Sequence, residues 1–156
     1  MAIGTATMTI TISESVDMAG SGLGDTSTST VKTIVINDIY KRIITVPTSE
    51  VQIYDTHDSN VAGSTFDDDL VKYVRITNQD NSNIIIVRVK NADHDEFAYK
   101  LGPFETFLLW QHEATMNSLD AGTLDIGAGW GDIASVKLTS PDGASDCEIM
   151  IVCSES

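Results

Sequence analysis

The 156 residues carry 9 Lys and Arg against 23 Asp and Glu, a formal charge of −14, and 42% of them are hydrophobic. That share suits one globular domain with a core and excludes a disordered chain, while the charge argues against nucleic-acid binding, whose affinity comes from Lys and Arg displacing phosphate counterions. No apolar run approaches the roughly 20 residues of a membrane helix, and the start MAIGTATMTI lacks the basic end and apolar block of a signal peptide, so the chain is expected to work in solution, unprocessed, without membrane or nucleic acid.

In chain order, Thr7–Ser13 alternates Thr with Met8, Ile10 and Ile12, the period-2 pattern of a half-buried strand. Gly20, Gly22 and Gly24 and the Ser/Thr stretch to Thr30 read as a flexible connection, which makes residues 1–30 an N-terminal arm and residues 31–156 a separate domain. GSGLG is not a dinucleotide fingerprint, because no helix pattern follows it to meet a phosphate. Strands are expected at Val31–Ile39, at Lys41–Val46, ended by Pro47, and at Val51–Tyr54. A polar loop, Asp55–Asp69, leads into Leu70–Lys90, where two β-branched runs flank the polar turn Asn78–Asn83 and predict a hairpin. A second hairpin is expected from Phe97–Leu101 and Phe104–Trp110 around Gly102-Pro103. His112–Asp120 is too short and weakly periodic to predict a helix, and Ile133–Thr139 and Cys147–Cys153 follow as strands around Ser140-Pro141-Asp142-Gly143. Nine or ten short strands without interleaved helices predict an all-β fold, a single antiparallel β-sandwich, jelly-roll-like or immunoglobulin-like.

Even spacing puts Cys147 and Cys153 on one strand face about 20 Å apart, too far for a disulfide, so both thiols are expected to stay reduced, as small buried hydrophobes. The three His residues lie in no HxH or HExxH pattern. Asp55 with His57 and Asp58, the run Asp67–Asp69, and Asn78 with Asp80 and Ser82 are acidic or amide clusters, but they lack the glycine and distal glutamate of a calcium loop and read first as solvated loops and turns. No Ser sits in a nucleophile elbow and neither Cys has a neighbouring base. A non-enzymatic protein without cofactor or metal is therefore expected.

If Asn78 pairs with Asn83, Val74, Ile76, Ile85, Val87 and Val89 share one hairpin face, and Tyr73, Arg75, Ile84, Ile86, Arg88 and Lys90 share the other. The slipped register would set Lys72 against Arg88. The second face, aliphatic and aromatic with a cationic rim, reads as a docking surface through Tyr73, Arg75, Arg88 and Lys90, or as a face that a second sheet covers. Ile10 and Ile12, in the arm, are a second expected contact, since a tethered strand can add to a neighbour's open edge.

The runs MTITISES, KRIITVPTSEVQIYD, VKYVRITNQDNSN and LGPFETFLL follow an order that resembles the small β-rich virion structural proteins of marine tailed bacteriophages. That resemblance implies a capsid cement or decoration protein, assembled in the host cytoplasm and carried on the virion, self-associated as a trimer or dimer and bound to the major capsid protein or another virion protein. It carries over no catalytic residues. The alternatives are a head-to-tail or tail structural protein, and a carbohydrate- or receptor-binding sandwich using the faces of Trp110 and Trp130.

Overall fold

The computed structural model describes residues 6–16, 25–55, 71–91, 96–109 and 133–154, which form ten strands and no helix. They fall into two units, residues 1–37 and 38–156. In the first unit β1 (Ala6–Val16) and β2 (Asp25–Ile36) make an antiparallel two-stranded sheet, in register from Ala6 opposite Ile36 to Val16 opposite Asp25, with a bulge between Ile10 and Thr11. The Ser/Thr stretch expected as a flexible connection is thus the first half of β2. Thr is a strong strand former, and here the run has a partner in β1. The boundary expected after Thr30 falls after Asn37.

The second unit holds eight described strands: β3 (Asp38–Val46), β4 (Val51–Asp55), β5 (Val71–Asn78), β6 (Ile85–Asn91), β7 (Glu96–Leu101), β8 (Thr106–Leu109), β9 (Ile133–Thr139) and β10 (Ser145–Cys153). They form two four-stranded antiparallel sheets, ordered β3-β10-β5-β8 and β4-β9-β6-β7, packed as a sandwich. Alternation builds the core directly. Along β10, Cys147, Ile149 and Ile151 are fully buried while Asp146 is exposed and Glu148 and Met150 are half-buried. Across the sandwich, Val74 and Ile76 of β5 join Val87 and Val89 of β6, Val136 and Leu138 of β9, and Tyr54 of β4 in one apolar cluster.

Neither expected hairpin forms. β5 pairs with β10 and β8, whereas β6 pairs with β7 and β9, so the segment 79–84 is an arch that carries the chain from one sheet to the other. The same holds for 102–105 between β7 and β8, for 47–50 between β3 and β4, and for 140–144 between β9 and β10. Among the consecutive described strands of this unit, β6 and β7 alone stay in one sheet. Val74, Ile76, Ile85, Val87 and Val89 do share the interior, but from opposite walls. An arch and a hairpin both aim alternate residues at a common interior, so periodicity cannot separate them. The length of the turn is the better guide, because 79–84 is well beyond the two-residue loops that favour a tight hairpin.

Asn78, fully buried at the end of β5, ties the arches together. Its Nδ2 donates to the main-chain oxygens of Asn83 at 2.9 Å and Gly102 at 3.0 Å, and its Oδ1 accepts from the Asp80 main-chain N–H at 3.0 Å and the Ser145 hydroxyl at 3.1 Å. Around it the Asn78 main-chain N–H donates to Glu105 O, Gln79 N–H to Asp146 O, and Ser140 N–H to Pro47 O. The Ser140 hydroxyl reaches Ile84 O at 2.8 Å, and the Asn83 amide reaches Ala144 O at 3.1 Å. These four arches therefore meet at one end of the sandwich. Asn78→Ala strips partners from two carbonyls and a hydroxyl at once and is expected to cost about 3 kcal/mol in urea unfolding. Asn78→Asp keeps the size but replaces the donor with an acceptor, and is expected to lose at least as much at neutral pH.

Candidate interaction surfaces

The outer faces of the two sheets carry separate charge networks. On the first sheet, Glu148 of β10 lies between β3 and β5 and takes Lys41 Nζ at 3.1 Å and the Arg75 guanidinium. Lys41 and Arg75 together hold the Glu148 carboxyl below the usual carboxylate range. On the second sheet, Arg88 of β6 donates to Glu50 at 2.7 Å and to Glu96 at 2.8 Å, and Lys137 of β9 reaches Glu50 at 3.2 Å. Arg88 and Lys137 likewise lower the Glu50 carboxyl. The β6–β9 and β6–β7 registers put Arg88, Lys90, Lys100 and Lys137 on this one face, four of the 9 cations of the chain.

The four residues expected to share a docking face are therefore divided. Arg75 belongs to the first sheet, and Arg88 and Lys90 to the second; Tyr73 is buried, with a relative exposure of 5%, and burial raises its hydroxyl pKa. The division follows from the arch, which sends β5 and β6 into different sheets and their outward faces in opposite directions. In the first unit Ile10 stands opposite Lys32 and Ile12 opposite Ser29. Ile10 is buried and Ile12 half-buried.

A third surface was not read from the sequence. Among the described strands β7 and β8 end their respective sheets on the same side of the sandwich, and Phe107 of β8 meets Phe97 and Tyr99 of β7 at ring-centroid distances of 6.3 Å and 5.5 Å. Phe97 and Tyr99 remain 39% and 49% exposed. In the arch between these strands Phe104, expected as the start of a strand, holds a φ of 60° and is 68% exposed, a left-handed conformation that costs a non-glycine residue energy. The closeness of Phe97, Tyr99, Phe104 and Phe107 along the chain was the available signal.

The remaining candidates resolve residue by residue. Asp80 Oδ1 accepts the main-chain N–H groups of Ser82 and Asn83, both at 2.8 Å, and the Ser82 hydroxyl at 3.1 Å. These bonds lower its pKa and make the segment an Asx turn. Asp55 takes the Gln52 amide. His57, Asp58, Asp67–Asp69, His94, His112, Trp110 and Trp130 lie outside the described residues, as do Gly20–Gly24 and the segment 112–120. Among the described residues no three His, Cys, Asp or Glu side chains converge as metal ligands, and no helix is long and apolar enough to cross a membrane. Cys147 and Cys153 both face the interior from β10, unbridged. Burial pushes the Cys147 thiol up to about 12, and burial with the nearby Asp38 pushes Cys153 up to about 11, so little thiolate exists at neutral pH.

The architecture defines an all-β sandwich protein. Comparison with protein-family models, curated proteins and solved structures finds no match to this chain.

The charge networks carry a pH dependence. Because Glu148 and Glu50 titrate below their unfolded values, their stabilisation is complete above the ordinary carboxylate range and is lost as pH falls through the folded values. The urea midpoint is expected to drop between about pH 6 and about pH 3. Glu148→Gln, which leaves Arg75 and Lys41 without their carboxylate, is expected to lower stability at neutral pH by about 1–2 kcal/mol and to flatten that dependence.

Proposed function

We propose that the protein is a non-enzymatic virion structural protein of a tailed bacteriophage, a capsid cement or decoration protein that binds the outer shell. The observation that carries the reading is the winding of the second unit. The orders β3-β10-β5-β8 and β4-β9-β6-β7, in which consecutive strands cross between sheets at every step except β6 to β7, are read here as a jelly roll, an architecture common in viral shells and also in lectins. Analogy of fold connects this winding to viral shells, and the resemblance of the runs MTITISES and LGPFETFLL to virion proteins supports the same reading. The first unit supplies the assembly element. Among the described strands β1 and β2 pair only with each other, and a lone two-stranded sheet is marginal in water, which favours adding a strand of a neighbouring subunit to it. The cationic face around Arg88 and Lys90 supplies the docking contact with the major capsid protein or another virion protein.

Mass spectrometry of purified virions is expected to find the protein in many copies per particle, and particles lacking it are expected to break at lower temperature. Lys90→Glu is expected to weaken rebinding to such particles while leaving the circular dichroism unchanged. A few copies confined to one vertex would favour the head-to-tail or tail reading. Absence from particles combined with saturable sugar binding would replace the proposal with the carbohydrate-binding one.

A further inference from the structure

Among the described strands the sandwich has four edges, and these are not equally protected against pairing with another chain. β3 carries the adjacent cations Lys41 and Arg42, β4 is five residues long with an irregularity between Gln52 and Tyr54, and β8 has only four residues. Charged side chains, irregular register and short length are the usual means of blunting an edge. β7 is longer than β4 and β8, and its two charges, Glu96 and Lys100, are of opposite sign rather than alike: it runs six residues, EFAYKL, in unbroken register with β6, and its residues 96–100 are all exposed. The inward-pointing side chains of an edge strand are ordinarily covered, whereas Phe97 and Tyr99, opposite the buried Val89 and Val87, are 39% and 49% exposed. The charges of β7 are of opposite sign and stand symmetrically about Ala98.

We propose that β7 is a self-recognition edge, pairing antiparallel with β7 of a second copy of this chain about a two-fold axis through Ala98. In that register, Glu96 of each copy stands opposite Lys100 of the other on the outer face. Phe97 stands opposite Tyr99 twice on the inner face, and the small Ala98 meets itself at the axis. Opposite charges and aromatic pairs directly across strands are the stabilising combinations in an antiparallel ladder. Moving the axis by one residue, to Tyr99, sets Ala98 against Lys100 and loses both. Glu96 can serve two cations, because Arg88 engages its Oε2 and the other oxygen is available to Lys100 of the second copy. The β4-β9-β6-β7 sheets of the two copies become one eight-stranded sheet, and the contact is isologous, so it closes at two subunits. The dimer stands on the geometry of β7 and not on the virion reading: a dimer that ignores particles leaves it intact.

Sedimentation velocity of the full chain in about 0.15 M salt, where the mutual repulsion of two acidic subunits is screened, is expected to show a reversible monomer–dimer equilibrium below about 0.5 mM. Glu96→Lys brings two cations together at both symmetry-related pairs, and Lys100→Glu brings two carboxylates together at both, so each variant alone is expected to dissociate at least about tenfold more readily. An equimolar mixture of the two is expected to recover dimerisation as a heterodimer. In the Ala98 register each variant's positions 96 and 100 carry one sign, so both cross-strand pairs of the heterodimer are of opposite charge. Ala98→Glu offers a variant that places its carboxylate beside Arg88 in its own subunit and against its copy at the axis; it is expected to fold normally and remain monomeric. A wild-type protein that stays monomeric throughout this range overturns the proposal. So does a dimer that Lys100→Glu and Ala98→Glu leave unchanged, or a mixture of folded charge variants that fails to recover.

Discussion

The carboxamide of Asn78 is the constraint on which the sandwich depends. Each arch leaves main-chain groups at the sandwich end that belong to no ladder, and such groups are costly when buried without partners. One side chain with two donors and an accepting oxygen answers three of the arches, 79–84, 102–105 and 140–144 with its continuation at Ser145. Ser140, bonded to Pro47 and Ile84, brings in the fourth. An apolar residue at position 78 would fill the space and leave the end of the core unsatisfied. The residue therefore closes the end of β5 and holds the arches against one another there.

With that end pinned, the two sheets present outer faces of different character from a strongly acidic chain. The first holds a compact triad, Lys41, Glu148 and Arg75; the second gathers four cations, of which Arg88 and Lys137 are answered by Glu50 and Glu96. Ion pairs at such partly exposed positions add little stability each. Their larger effect is on which surfaces attract and which repel, because a local positive face on an otherwise negative molecule orients approach. Edge strands follow the same logic: the charged β3 discourages pairing, whereas the alternating charge and aromatic surface of β7 matches itself.

Much of this was legible in the residues. The alternation in β1, β5, β6 and β10 revealed the strands and their buried sides, and the even spacing of Cys147 and Cys153 placed both thiols on the inner face of one strand. The sheet to which each strand belongs was not legible, since β5 and β6 show the same alternation whether they pair or face each other. That single ambiguity also scattered the expected docking face, because Arg75 and Arg88 share a surface only in a hairpin. β2 was hidden for another reason: a Ser/Thr run reads as a linker by composition, and only the partner β1 makes it a strand. The exposure of Phe97 and Tyr99 depends on β7 being an edge, a property of strand order that local sequence does not encode.

The chain crosses between the sheets at the arches, above all from β5 to β6. Cross-strand Hα–Hα nuclear Overhauser effects in the isotopically labelled protein test it most directly. Ile76 of β5 stands beside Ile149 of β10 and Phe107 of β8, and Val87 of β6 beside Leu138 of β9 and Tyr99 of β7; Hα contacts in these ladders, with none between β5 and β6, are expected. A ladder of Hα contacts running from Thr77 and Ile84 back through Arg75 and Ile86 would contradict it, since only a hairpin in one sheet produces that pattern.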